Sequence, residues 1–217
     1  MVTALTLTPS MRLSAYVYKT YHRILLEQLI EKHAYHISGS MLDVGALNPR
    51  YNHLFKATVT SVDIIVNEKV GVQYGNIDKG LTFDDAAFDS IICIEVFEYL
   101  DNYQCAIDEI HRLLKPGGRA FISVPFVYRD HTDNIRFTEK MFRSKLKIFS
   151  DVSCIRIGNG FIVVWDILKK KIFGIRLKPL RYLFFLLFLP YLGILKLFNV
   201  HKIRDDFYSG IFMIVQK

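Results

Sequence analysis

Cysteine is scarce: Cys93, Cys105 and Cys154 are the only three in the 217-residue chain. They are odd in number and show no metal-ligand spacing. Neither a disulfide framework nor a cysteine-built metal site is expected, and a reducing, cytoplasmic setting is. The histidines form no ligand set either, so no metal is expected. The chain has no internal repeat and no low-complexity linker. A cleavable leader is not expected, because Met1 to Thr8 is apolar but short and no basic residues precede it. The phosphate-cradling pattern G-x-G-x-x-G is also missing. After Gly45 the turn carries Leu47 and Pro49, whose side chains obstruct the close backbone approach that a pyrophosphate needs.

One further absence is local. Between Ile167 and Arg204 there is no Asp or Glu, against nine Lys and Arg. The whole chain holds 28 basic and 21 acidic residues, so the remainder carries 19 basic and 21 acidic. The formal charge of +7 thus belongs to one segment and needs its own explanation.

What is present alternates. Ser10 to His36 reads as a helix from Leu25, Leu26, Leu29 and Ile30 at helical spacing, with Ser14 a candidate cap near its start. Met41 to Val44 is a short apolar strand with an acid two positions before Gly45. Ala57 to Val62 is a second strand, closing on Asp63. Val70 to Tyr74 is a third, followed by Gly75-Asn76-Ile77-Asp78. Phe88 to Ile94 is a continuous apolar run, as expected of a central strand buried on both faces. Asp101 to Leu114 is an amphipathic helix that Lys115-Pro116-Gly117-Gly118 should stop. Arg119 to Val124, Val152 to Ile157 and Gly210 to Gln216 read as strands, and Thr138 to Lys147 as a short helix capped by Thr138. The alternation predicts a mostly parallel α/β sheet in a single domain over 1–217. Within it, 1–40 is an N-terminal helical region, 41–158 the core, 159–205 a basic, apolar helical insertion and 206–217 the final strand.

Asp63 lies 20 positions after Asp43. An acid at that strand end can accept both hydroxyls of a ribose, or can cap a turn, and the spacing alone leaves both open. A longer block is more specific. It runs from Phe88-Asp89 through Glu95-Val96-Phe97-Glu98-Tyr99 to Leu114-Lys115-Pro116-Gly117-Gly118. With Leu42-Asp43-Val44-Gly45 before it, this resembles the class I S-adenosylmethionine-dependent methyltransferases of the type 11 kind over roughly Met41 to Lys147. The loop Pro125 to His131, followed by Ile135-Arg136-Phe137-Thr138, is similar to members acting in bacterial surface-glycan and lipid pathways.

The resemblance implies a Rossmann-like, seven-stranded sheet and S-adenosylmethionine as cofactor. It implies Asp43 and the backbone at Gly45 and Ala46 around the methionine end, and Asp63 at the ribose. It places Asn76 and Ile77 at the adenine, and Ile94 and Glu95 beneath the sulfonium. The expected reaction moves the methyl group to a small-molecule, sugar or lipid-linked acceptor. If the acceptor is a hydroxyl, His131 is the candidate base, against the plainer role of a structurally bonded loop histidine. Tyr128 and Arg136 could position an acceptor, against the plainer role of packed or solvated side chains. Leu47, Pro49 and Tyr99, the last where the family has histidine, are departures. They keep open a non-catalytic scaffold with a degenerate methyltransferase fold, and a nicotinamide enzyme is a third reading.

For the basic segment the expectation is contact between 167–204 and an anionic membrane surface, placing the protein at the inner face of the membrane. A lid or a dimer face is the plainer alternative. The uncharged run Tyr182 to Leu195 falls short of the ~20 residues that span a bilayer. Nucleic acid is not expected, since the aromatics cluster away from the charges. The oligomeric state is open.

Overall fold

The computed structural model describes residues 13–127, 129, 132–203 and 206–217. Helix α1 (Leu13–Tyr18) and α2 (Tyr21–His33) precede β1 (Ser38–Val44) and β2 (Lys56–Asp63). Then come β3 (Val72–Tyr74), β4 (Phe88–Ile94), α3 (Tyr103–Leu113), β5 (Leu114–Pro125), α4 (Glu139–Lys145) and β6 (Asp151–Ile157). Helices α5 (Gly160–Phe173) and α6 (Lys178–Leu197) and strand β7 (Gly210–Gln216) complete the chain. The seven strands form one sheet in the order β3-β2-β1-β4-β5-β7-β6. The pairs β1–β2, β1–β4, β2–β3 and β4–β5 are parallel. Strand β7 runs against its neighbours. Its end meets the start of β5, where Gly117 N donates to Lys217 O and Lys217 N to Gly118 O. Ser150 N, just before β6, donates to Gln216 O, while Ser209 N donates to Ile157 O at the other end of that strand pair.

The central strands are buried on both faces because their residues leave no polar side. Ile91, Ile92 and Cys93 of β4 and Ala120, Phe121 and Ile122 of β5 are fully buried. The run read as Phe88 to Ile94 is strand β4 with those bounds, and β7 likewise matches. Two expectations are corrected. The long N-terminal helix is broken at Lys19 and Thr20. A new helix starts there because Thr20 Oγ1 accepts from Arg23 N at 3.2 Å and Asp166 accepts from Tyr21 N and His22 N at 2.6 and 2.9 Å.

 
The Asp166 carboxylate thus caps the amides of Tyr21 and His22 from far along the chain. The Lys115-Pro116-Gly117-Gly118 turn does not separate α3 from a later strand. Strand β5 already begins at Leu114, with an irregular register between Phe88 and Ser90 absorbing the glycines. Helix α6 runs for 20 residues with Pro190 inside it.

The chain divides into two compact units. The larger, 29–155 with 211–217, holds the sheet, α3 and α4. The smaller, 1–28 with 156–210, holds α1, most of α2 and the α5–α6 hairpin. In the smaller unit Asn159 is fully buried and closes the insertion. Its Oδ1 accepts from Ile162 N to cap α5, and its Nδ2 donates to Val200 O at 2.6 Å and Ile203 O at 2.9 Å. Lys169 Nζ donates to Tyr16 O at 2.6 Å and Lys19 O at 2.5 Å, which ties α5 to the end of α1.

Candidate functional site

Strands β1 and β4 are neighbours in the sheet, although β2 and β3 lie between them in the chain. The strand order therefore reverses at β1, and ligands in open α/β sheets bind outside the carboxyl ends at such a point. Asp43 stands one residue before the end of β1, and Asp63 ends β2. Asp43 pairs in register with Ser61, two residues before Asp63. Alternation along β2 then sends Ser61 and Asp63 to the same face of the sheet as Asp43. The two carboxylates share one edge and one face.

Their environments differ. Asp43 is buried, and burial pushes its carboxyl up to about 7. A hydrogen bond from Asn52 opposes that shift, and the nearby Asp63 charge adds to it. Asp63 is half-buried and bonded to the backbone. Its Oδ2 accepts from Leu47 N at 2.9 Å and its Oδ1 from Ile65 N at 3.0 Å. Asn67 Nδ2 donates to Leu47 O at 2.9 Å, so both backbone groups of Leu47 are held. The turn that lacks the later glycines is therefore stitched to β2 by side chains. Each carboxylate oxygen of Asp63 keeps a second lone pair for a ligand hydroxyl.

Gly45 has φ +75, and a Cβ there would stand 2.3 Å from Val96 Cγ2. Glycine is required at this position by the backbone and by Val96 together. Gly45 N and Ala46 N both donate to Val62 O, at 2.9 and 3.1 Å. Their amides are engaged with β2, so what these residues offer a ligand is a low-profile turn rather than free donors. Asn76 Oδ1 accepts from Asp78 N at 2.9 Å and caps a short turn, with Ile77 buried beside it. Asp78 in turn accepts from Asp101 N and Asn102 N. Ile94 ends β4, and Glu95 follows in the left-handed region at φ +59, a strained conformation for a residue with a Cβ. It is held there by Ser123. Glu95 N donates to Ser123 O at 3.0 Å, and Ser123 Oγ donates to Glu95 Oε1 at 2.9 Å.

The residues after Glu95 hold a group that the motif match alone does not explain. Glu98 is fully buried, and among the described residues neither of its carboxylate oxygens has a hydrogen-bond partner. Burial first, and the Glu95 charge second, push its carboxyl up to about 9. Its backbone oxygen accepts from Asn134 N at 2.6 Å and Ile135 N at 3.2 Å, which anchors the chain that follows β5. Arg136 is spent on the same task. It pairs with both oxygens of Asp133 and donates to Phe126 O at 3.1 Å and Arg129 O at 3.0 Å. Its guanidinium folds the loop, as the plainer packing role requires. His131 and Tyr128 lie outside the described residues. Sequence reading passed over Ser123, Val96 and Glu98. Ser123 and Val96 carry no local signal, and Glu98 was visible only as a letter in a motif.

What this edge can do follows from its charges. Asp43 is a buried carboxyl whose ionised form a nearby cation would favour, and among the described residues the buried Asn52 Oδ1 beside it lacks a partner. Among the described residues no group of His, Cys, Asp and Glu could hold a metal ion.

Residues 33–122 match the family described as a methyltransferase domain. No curated protein matches the chain. Among solved structures it is similar to phosphoethanolamine N-methyltransferase 2 of Haemonchus contortus in complex with S-adenosyl-L-methionine. That match has a TM-score of 0.57 at 15% identity and covers 94% of this chain and 55% of that one. It is also similar to 1,6-didemethyltoxoflavin-N1-methyltransferase of Burkholderia thailandensis, bound to its 1,6-didemethyltoxoflavin and S-adenosylhomocysteine. There the TM-score is 0.53 at 18% identity, over 93% and 78% of the two chains. A S-adenosylmethionine-dependent methyltransferase from Archaeoglobus fulgidus matches with a TM-score of 0.58 at 13% identity, over 94% and 97%. The chain spans about half the length of the Haemonchus enzyme. At these identities the likeness is one of fold. Residues 33–122 match the methyltransferase-domain family, in a chain whose fold is that of the Rossmann-like methyltransferases.

Proposed function

We propose that this protein transfers a methyl group from S-adenosylmethionine to a small-molecule acceptor. The observation that carries the reading is the pairing of Asp43 and Asp63 on one face at the reversal point of the sheet. The donor residues fit the group. Asp43 and the orphaned Asn52 Oδ1 form a polar, electron-rich end suited to the ammonium and sulfonium charges. Asp63 has lone pairs left for ribose hydroxyls, and the turn at Asn76 and Ile77 would flank the adenine. Bound there, S-adenosylmethionine supplies a methyl group already activated as a leaving sulfonium's substituent. The chain then has to align the acceptor and exclude water. The strained Glu95, clamped by Ser123, fixes the end of β4 where the alignment is made.

The acceptor class divides further into sugars and lipid-linked molecules, and His131 is proposed as the base if the acceptor atom is a hydroxyl. Incubating the protein with label-bearing donor and a cell extract, then partitioning the products between water and organic solvent, separates the two classes. Label in neither phase, alongside micromolar binding of S-adenosylhomocysteine, would move the reading to a donor-binding scaffold without turnover. No calorimetric heat and no thermal shift with donor at millimolar concentration would remove the donor reading itself.

A further inference from the structure

We infer that the α5–α6 hairpin docks flat on an anionic bilayer surface, with the outer face of α6 in the acyl boundary and its flanking Lys and Arg among the lipid phosphates. The inference lies beyond the methyl-transfer reading and does not depend on it.

Helix α6 is 20 residues long and strongly apolar, yet only 11% of its most apolar stretch is buried. Its covered positions recur at helical spacing. Arg181, Phe185, Phe188, Leu192 and Leu195 are shielded to differing degrees. Trp165 of α5 stacks on Phe188 at 4.8 Å, and Phe173 meets Phe185 edge-on at 5.3 Å. The rest of the helix faces outward. Leu183, Leu186, Leu187, Ile194 and Leu197 are exposed, Leu187 by 68% and Leu197 by 75%. Scattered exposed apolar residues need no explanation, but a whole helix face of them marks an interaction site.

Charge says what covers it. Lys170, Lys171, Arg176, Lys178 and Arg181 surround the hairpin turn, and Lys196 and Lys202 stand at the far end. No acid lies between Ile167 and Arg204, and the adjoining Asp166 is engaged in capping α2. An apolar helix flanked by basic residues alone is complementary to anionic headgroups over hydrocarbon. A second copy of the same hairpin would bring like charges together.

The helix lies on the bilayer rather than crossing it. The uncharged stretch Tyr182 to Leu195 is 14 residues, about 21 Å of helix, against a hydrocarbon core of about 30 Å. Crossing would also strip α6 from Trp165 and Phe173 of α5, and α5 is itself bonded to α1 and α2 through Lys169 and Asp166.

The test is flotation of the full chain with vesicles of phosphatidylcholine alone or with about one third phosphatidylglycerol, at about 50 mM and 500 mM salt. The expected result is at least about tenfold stronger partition to anionic vesicles at low salt, weakening at high salt. Lys170→Glu with Lys171→Glu and Arg176→Glu should abolish the anionic preference. Leu186→Asp with Leu187→Asp should abolish binding. Both variants should keep the wild-type circular dichroism, melting profile and S-adenosylhomocysteine binding, so a failure of docking is distinct from a failure of the methyltransferase reading. The inference is overturned if the intact chain stays at the bottom with anionic vesicles at low salt, or if neither variant changes its flotation. It is equally overturned by resistance to alkaline carbonate extraction, which means a crossing helix, or by a stable dimer that the Leu186 and Leu187 changes dissolve while vesicles are ignored.

Discussion

Replacing Glu98 by glutamine should stabilise the protein, and by more as the pH rises. The side chain is 0% exposed and its oxygens have no hydrogen-bond partner among the described residues, so the folded state keeps the proton well above the ordinary carboxylate range. The unfolded chain releases it near 4.5. Between those two values the native state binds one more proton than the unfolded state, so stability falls with rising pH by about 1.4 kcal/mol per unit. Its contribution is whole below the unfolded value and lost progressively as the pH climbs toward about 9. From pH 5 to pH 7 the ceiling is about 2.7 kcal/mol, and relaxation of the site around the charge should bring the measured change to about 1–2 kcal/mol. Glutamine has the same shape without the proton, so the variant loses that slope while keeping the backbone oxygen that holds Asn134 and Ile135. At about 2–4 °C per kcal/mol for a chain of this size, the melting temperatures should diverge by several degrees between pH 5 and pH 7. Urea denaturation at pH 5, 6, 7 and 8, with unchanged m-values, is the assay. Parallel stability curves for the two proteins would refute the reasoning, because they would mean that the carboxylate is solvated or paired.

Three other outcomes are expected. Gly45→Ala forces a side chain into the left-handed region and against Val96, and should cost about 1–3 kcal/mol in thermal denaturation, with Val96→Ala in the same chain recovering part of the loss. Asp43 titrates at about 7, so calorimetric affinity for the cationic donor should fall as the pH drops from 8 to 6, and Asp43→Asn should be weak and flat across that range. Asp166→Ala removes the acceptor of the first two amides of α2 and should lower stability by about 1–2 kcal/mol, read from equilibrium unfolding.

Local pattern was enough for the parallel sheet. Within Phe88 to Ile94 the stretch Ile91-Ile92-Cys93-Ile94 is apolar on both faces, as a central strand requires. The spacing from Asp43 to Asp63 likewise put two acids at adjacent strand ends before any coordinates, because strand length and crossover length are local properties. The engagement of each polar group was not legible, since a hydrogen-bond partner is chosen by distance in space. The resemblance implied the Gly45 and Ala46 backbone beside a ligand, and only the tertiary structure shows that both amides donate to Val62 O. Arg136 read either as an acceptor contact or as packing, and only the fold shows it holding Asp133 and two carbonyls. Glu98 is charged on paper and neutral in the protein, because burial is a property of everything packed around it. The N-terminal helix breaks where an acid 145 residues away reaches its amides, a contact that no window along the chain contains.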